Sequence, residues 1–371
     1  MKWTEMGPGV LGAWVAEMDF GTAPAVTAAL HDAVDRQLFG YLPGTERRAL
    51  SDACAAWQAD QHGWAVDPDD VHPMPDVLQA LEVAARWLTG PGRPIILPVP
   101  AYMPFLSVPD LLGRELLTIE LVRDGDRHVY DLDALDAAFA AGGQLLVLVN
   151  PHNPTGRVLE REELVAISEV VDRHGGPVLA DESHGSIVRP GHLHVPYASV
   201  SDVAAGHAVT ATSASKAFNL PGLKCAQLIL SNDEDRAAWE RFGWYVTEAT
   251  STLGVVASTA AYRDGGPWLA DVLAYLDGNR ALLTELLAEH LPGAVCTPPE
   301  GTYLAWVDVR AMDPPEALAD RLLADAGVAV VDGARCGEPG RGHIRLNLAT
   351  PRPVLRQVVA KIGDALRGGR P

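Results

Sequence analysis

Apolar residues recur at helical spacing after Pro24 in PAVTAALHDAVDRQL, with Thr22 placed to serve as a cap. Two further helices are predicted near 46–61 and 76–88. Beyond about residue 90 the pattern changes. PIILPV, QLLVLVN, GPVLADE, HAVTATS and CAQLILS are short apolar runs that end in polar residues, and the amphipathic segment REELVAISEVVDRH lies between two of them. Strands that are apolar almost throughout and alternate with helices predict a mainly parallel sheet covered on both faces. Past about Thr250 a long helical stretch, PWLADVLAYLDGNRALLTELLAEHL, leads to strands TYLAWVDV and HIRLNLA and to a last helix from about Val354. In HIRLNLA, His343, Arg345 and Asn347 share one face and Ile344, Leu346 and Leu348 the other, the alternation of a half-buried sheet. The organisation expected is α/β in three parts. An N-terminal segment, 1–40, joins the smaller unit; a large domain spans 41–260; a smaller α+β domain spans 261–371.

Composition narrows the classes. The 371 residues are 48% hydrophobic, enough for a sizeable core, and the net charge of −19 argues against a nucleic-acid or anionic-membrane surface. Cys54, Cys225, Cys296 and Cys336 are scattered and form no CxxC pair, so free thiols in a reducing compartment are the simpler expectation. The first residues, MKWTEMGPGV, carry no apolar leader core, and no run of about 18 apolar residues occurs. A soluble cytoplasmic protein is expected. The histidines offer no familiar metal-ligand spacing, and the pair in GHLH at 191–194 reads as loop residues.

Polar residues fall at the ends of the predicted strands. LVLVN runs into PHNPTG, PVLA into Asp181 and Glu182, and HAVTATS into Ser215 and Lys216. In open α/β sheets ligands sit outside the carboxyl ends of the strands. Taken singly, Asn153 is a turn residue, Asp181 a helix cap and Lys216 a surface lysine; taken together, the three strand ends favour a shared site. Pyridoxal phosphate chemistry needs this set. A lysine bonds the cofactor, a carboxylate keeps the pyridine nitrogen protonated, and hydroxyls and backbone amides hold the phosphate. Lys216, Asp181, the Thr212–Ser213–Ser215 cluster and Asn153 match those needs.

With WVAEMDF at 14–20, PAYMPF at 100–105, NPHNPTGRV at 150–158, DESH at 181–184, TSASKAFNLPGLK at 212–224, GTYLAWVDVR at 301–310 and GHIRLNLATPR at 342–352, the chain resembles the fold-type I pyridoxal phosphate enzymes of the aspartate aminotransferase superfamily. The likeness is to the MalY/PatB-type cystathionine β-lyase, or C–S lyase, branch. It implies a large domain with a mainly parallel seven-stranded sheet between helices. It implies that Lys216 is the Schiff-base lysine, that Asp181 pairs with the ring nitrogen, that Asn153 contacts O3′ and that Tyr102 stacks on the ring. Arg345 is similar to the arginine that grips the substrate α-carboxylate, a task suited to a planar fork. Tyr41, in FGY at 39–41, resembles a tyrosine that reaches into the neighbouring subunit of a homodimer; an ordinary turn tyrosine is an equal alternative.

Some positions depart from the commoner pattern. His184 stands where aminotransferases carry a tyrosine, as in the C–S lyase branch, and Ser183 stands where an apolar residue is common. At Val77 and Leu78, whose amides are expected at the phosphate, the preceding residue is Asp76 rather than glycine. A carboxylate there is unfavourable beside a phosphate dianion unless it caps the following helix, the preferred reading. Lys224 replaces a phosphate-binding arginine and can act as a point charge or sit on a strand edge. The resemblance implies a cytoplasmic homodimer that eliminates a thiol from cystathionine or another cysteine S-conjugate. An aminotransferase is the alternative, as is a relative that removes carboxylate and amine oxidatively.

Overall fold

Unbroken runs of Val, Ile, Leu and Ala build a seven-stranded sheet in a computed structural model that describes residues 1–314 and 316–368. Of the expected 261–371 unit, residue 315 and residues 369–371 lie outside the described residues. Across the sheet the order is Val71–Met74, Ala226–Leu230, Ala208–Thr212, Val178–Asp181, Leu145–Val149, Ile95–Val99, Leu116–Glu120. Six strands share one direction; Ala226–Leu230 runs antiparallel to both of its neighbours. The fold is therefore the mainly parallel seven-stranded α/β architecture that the pattern and the resemblance led us to expect.

The central strands are buried along their whole length, which is why they do not alternate in sequence. One face presents Ile95, Leu97, Leu145, Val147 and Leu179 to the helix Val77–Trp87. The other presents Ile96, Leu146, Leu148 and Val178 to the helices Leu132–Ala140 and Arg161–His174. The second unit is a three-stranded antiparallel sheet, Leu304–Asp308, His343–Asn347 and Val331–Asp332. It shares a core with the 25-residue helix Gly266–His290 and with Arg352–Gly368. The short strand Leu11–Gly12 pairs in parallel with Val328–Ala329, and Ala13 enters the same core.

Two local expectations need correction. The helix Pro24–Asp35 has Ala23, not Thr22, at its N-cap and makes no side-chain cap bond; a proline in the first turn has no amide to satisfy. The strand His343–Asn347 is not half-buried, for all five residues are buried. Its polar face is covered by the segment Trp14–Glu17, whose carbonyls need donors. Arg345 Nη2 donates to Trp14 O at 2.9 Å, and Asn347 Nδ2 donates to Val15 O and Glu17 O at 2.6 Å each. No helix of the described residues is long and apolar enough to cross a membrane.

Candidate active site

The carboxyl ends of the parallel strands face the second unit across a cavity of about 320 Å³. Lys216, Asp181, Asn153, Tyr102, His184, Ser213, Ser215, Val77, Leu78, Lys224 and Arg345 all line it. The structure thus brings together the site residues singled out in the sequence except Thr212 and Tyr41. That tyrosine is 88% exposed and borders a separate surface groove with Phe39 and Thr250–Leu253. A larger groove of about 490 Å³ lies between the helices Gly44–His62 and Asp233–Thr247. It is walled by Arg47, His72 and Trp239 and carries none of the strand-end residues.

Local sequence explains the lysine's placement. The strand Ala208–Thr212 ends at Ser213, whose hydroxyl accepts from Ser215 N at 3.0 Å and so caps the short turn Ala214–Ala217 that bears Lys216. The Ser213 hydroxyl proton goes to Cys225 O at 3.0 Å. Ser213 is therefore a cap rather than a free donor. Ser215 lines the cavity without a bond to its hydroxyl among the described residues. Thr212 is buried in the sheet and does not line the cavity. Burial pulls the Lys216 ammonium below its ordinary value, with Asp181 opposing and Arg345 assisting the shift.

Asp181 ends the neighbouring strand. Its Oδ1 accepts from Ser183 N at 3.0 Å and from Ser183 Oγ at 2.7 Å, while Oδ2 has no partner among the described residues. Burial raises its affinity for a proton, and the Ser183 bonds work against that. A carboxylate held this way is a strong partner for a cationic N–H. Asn153 Oδ1 accepts from Arg345 Nη1 at 2.9 Å. Arg345 is 3% exposed, and its Nε is buried without a partner. His184 is also buried, with Nδ1 unpartnered, and burial first, then Lys216 and Arg345, holds its imidazole down at about 3. It is a neutral hydrogen-bonding group near neutral pH.

At the other end of the cavity Asp76 is the N-cap of Val77–Trp87; its Oδ1 accepts from Gln79 N at 3.0 Å. The amides of Val77 and Leu78, the first of the helix, then face the cavity end where an anion is favoured. Asp76 Oδ2 accepts from Lys224 Nζ at 2.8 Å. Tyr102 begins the helix Met103–Leu111 and sets its ring edge-on to Phe105 at 5.5 Å.

The sequence reading missed several residues. Trp14, Val15, Ala16, Met103 and Pro104 form an apolar wall of the cavity, and the Trp14 Nε1 has no partner among the described residues. His194 lies in a loop, as expected, but does not face solvent. It is buried, with Nε2 3.1 Å from Glu182 Oε2. A strand-end acid followed at twelve residues by a histidine was the only trace of that pair in the sequence.

These donors fit pyridoxal phosphate. Lys216 lies within the cavity and Lys224 at its far end; among the described residues the Asp181 Oδ2 is free and the His184 Nδ1 and Arg345 Nε are orphaned, and a capped helix start stands at the far end. The Aminotransferase class I and II family model matches residues 14–362. The cystathionine beta-lyase of Corynebacterium glutamicum is 36% identical over 366 residues, covering 99% of this chain and 96% of the relative. A structure from Corynebacterium diphtheriae, provisionally named a PLP-dependent beta-cystathionase, superposes with a TM-score of 0.94 at 39% identity, covering 99% and 95% of the two chains. The PLP-bound C–S lyase of Staphylococcus hominis gives a TM-score of 0.89 at 30% identity over 96% and 91%.

Proposed function

Because the chain belongs to the Aminotransferase class I and II family, we propose that it is a pyridoxal phosphate-dependent C–S lyase. It splits cystathionine or another cysteine S-conjugate into a thiol, pyruvate and ammonia. The observation that carries the reading is the convergence of Lys216, Asp181, Asn153 and Arg345 on one cavity, together with relatives named as cystathionine β-lyase and C–S lyase.

When bound, pyridoxal phosphate supplies an electron sink that acidifies the Cα–H of an amino acid. The chain's residues do the rest. The phosphate would be held by the Val77 and Leu78 amides, by Ser215 and by Lys224. Asp181 Oδ2 would keep a proton on the ring nitrogen, Asn153 and His184 would bond the ring's polar atoms, and Tyr102 would pack on the ring. Arg345 fixes the substrate carboxylate and so orients Cα–H toward Lys216. Lys216, made less basic by burial, takes the Cα proton as general base. The thiolate then leaves Cβ, and the enamine product hydrolyses to pyruvate and ammonia. The working unit is a cytoplasmic homodimer in which Tyr41 of each subunit reaches the other's site; its exposure in the single chain supports this.

The test is incubation of the holoenzyme with cystathionine and with a simple S-alkylcysteine, with no 2-oxo acid added. Pyruvate, ammonia and thiol are expected in equal amounts over many turnovers. Product only when an acceptor is supplied, with the cofactor accumulating in its amine form, would replace the lyase by an aminotransferase. Oxygen uptake with loss of carbon dioxide would mark the oxidative alternative.

A further inference from the structure

The residue after Asp181 points away from the cavity, as alternation at a strand end requires. Its side chain and that of His194 are each 1% exposed. Glu182 Oε1 accepts from Tyr197 N at 2.7 Å, and Oε2 accepts from His194 Nε2 at 3.1 Å. On the other side of the ring, Asn150 Nδ2 stands 3.5 Å from Nδ1. Asn150 directly follows the strand Leu145–Val149, and its N donates to Asp181 O at 3.0 Å. The bonds Asn150–His194–Glu182 thus tie together, from behind, the two strand ends that carry Asn153 and Asp181. His62 closes the stack with its ring edge-on to His194 at 4.9 Å. Gly185 approaches as closely as a residue can, for a Cβ there would meet His194 Cδ2 at 2.9 Å.

This buried assembly fixes the turn 182–185, closed by Gly185 N donating to Glu182 O at 2.8 Å. The turn carries Ser183, whose N and Oγ hold Asp181 Oδ1. The carboxylate therefore takes its orientation from Ser183, and Ser183 takes its place from Glu182 and His194. We propose that the Glu182–His194 pair, outside the cavity, is a positioning device that aims the Asp181 carboxylate at the ring nitrogen of the cofactor. The inference rests on the reading of Asp181 given above. Losing His194 leaves Oε2 of a buried carboxylate without its donor, with only the Tyr197 amide still bound to Oε1, so the turn must move or admit water.

Two variants test it in the holoenzyme. His194→Phe keeps a ring and loses both bonds; His194→Gln keeps a donor that can reach Glu182. His194→Phe is expected to lower kcat on the order of ten- to a hundred-fold, the range seen when a partner that orients an active group is lost. KM should stay within about twofold, because Arg345 is untouched. His194→Gln should recover most of kcat. In the cofactor-free protein, amide hydrogen exchange across 181–185 should quicken in His194→Phe and stay slow in His194→Gln. Unchanged kcat and unchanged exchange in His194→Phe would overturn the proposal. So would a rise in KM alone, or damage by His194→Gln equal to that by His194→Phe, either of which marks mere packing. Asp181→Asn serves as the control. If it turns over at the wild-type rate, the reading of Asp181 fails, and the exchange measurement still decides whether the pair holds the turn.

Discussion

Lys216 and Lys224 sit eight positions apart, yet their surroundings assign them different work. Lys216 is drawn into the cavity at the end of a buried strand, and burial lowers its proton affinity. Lys224 is 59% exposed at its side chain and paired with Asp76, an exposed contact worth little on its own. Lys216→Ala should therefore abolish turnover while the remaining residues of the cavity still hold cofactor without a covalent link. Borohydride reduction of the wild-type holoenzyme, followed by peptide mapping, should place the label on Lys216; a label on Lys224 would defeat the assignment. Lys216, Asp181 and Asn153 were legible in the sequence because each lies at, or within four residues of, the end of an apolar run, and strand ends of a parallel sheet share one edge. The joining of Glu182, His194 and Asn150 was not. Their bonds join residues 44 and 12 positions apart on the far side of that edge, and nothing in a one-dimensional pattern says which loop returns there.

Among the elements, the helix Val77–Trp87 shows a conflict that its sequence announced and its geometry resolves. Asp76 is needed as a cap, since a helix start leaves amides unpaired, but its charge faces the end of the cavity expected to take a phosphate. The carboxylate divides its oxygens, one to Gln79 N and one to Lys224. Asp76→Ser keeps a capping oxygen, removes the negative charge and frees Lys224. It should bind pyridoxal phosphate more tightly, by roughly threefold to tenfold if one partly exposed charge is removed, with Tm nearly unchanged. Equilibrium dialysis measures the first, and weaker binding would mean that Asp76 is needed to hold Lys224 in place. Elements were legible wherever period and length agreed, as in Gly266–His290 and Leu145–Val149. The antiparallel sense of Ala226–Leu230 was not, because direction leaves no mark on an apolar run. Nor was the burial of Arg345 and Asn347. The segment that covers them lies over 300 residues earlier in the chain, and only the assembled second unit brings it there.

At the scale of the whole molecule, burial makes the protein acid-labile. Burial depresses His62, His152 and His184 to about 3 and His72 and His128 to about 4. In the unfolded chain each protonates near 6.5, so below that pH the unfolded state binds more protons. The penalty is absent above about pH 6.5 and grows as pH falls toward the folded values, by up to about 1.4 kcal/mol per histidine per pH unit. The raised carboxyls of Asp181 and Asp235 pull the other way, but with His207 and His343 also lowered by burial they are two against seven. Tm should fall steadily between about pH 6.5 and pH 5; a flat profile would show that these histidines are not buried in the neutral form. The same scale decides whether the cavity is complete in one chain. Phe39, Tyr41, Trp244 and Tyr245 are all more than half exposed, a costly display for a lone subunit, and Tyr41 lies outside its own cavity. In a two-fold dimer each subunit lends the other the same residue. Tyr41→Ala should then be strongly impaired although its own Lys216 is intact, and Lys216→Ala should be inactive although its Tyr41 is intact. When the two variants are unfolded together and refolded at equal amounts, about half of the dimers pair one of each. In those, the subunit with Lys216 receives Tyr41 from its partner, and one of the two sites is whole. Activity should return to roughly a quarter of wild type. No recovery, from variants that each refold as dimers, would mean that Tyr41 serves its own chain or none, and the site would have to be complete within a single subunit.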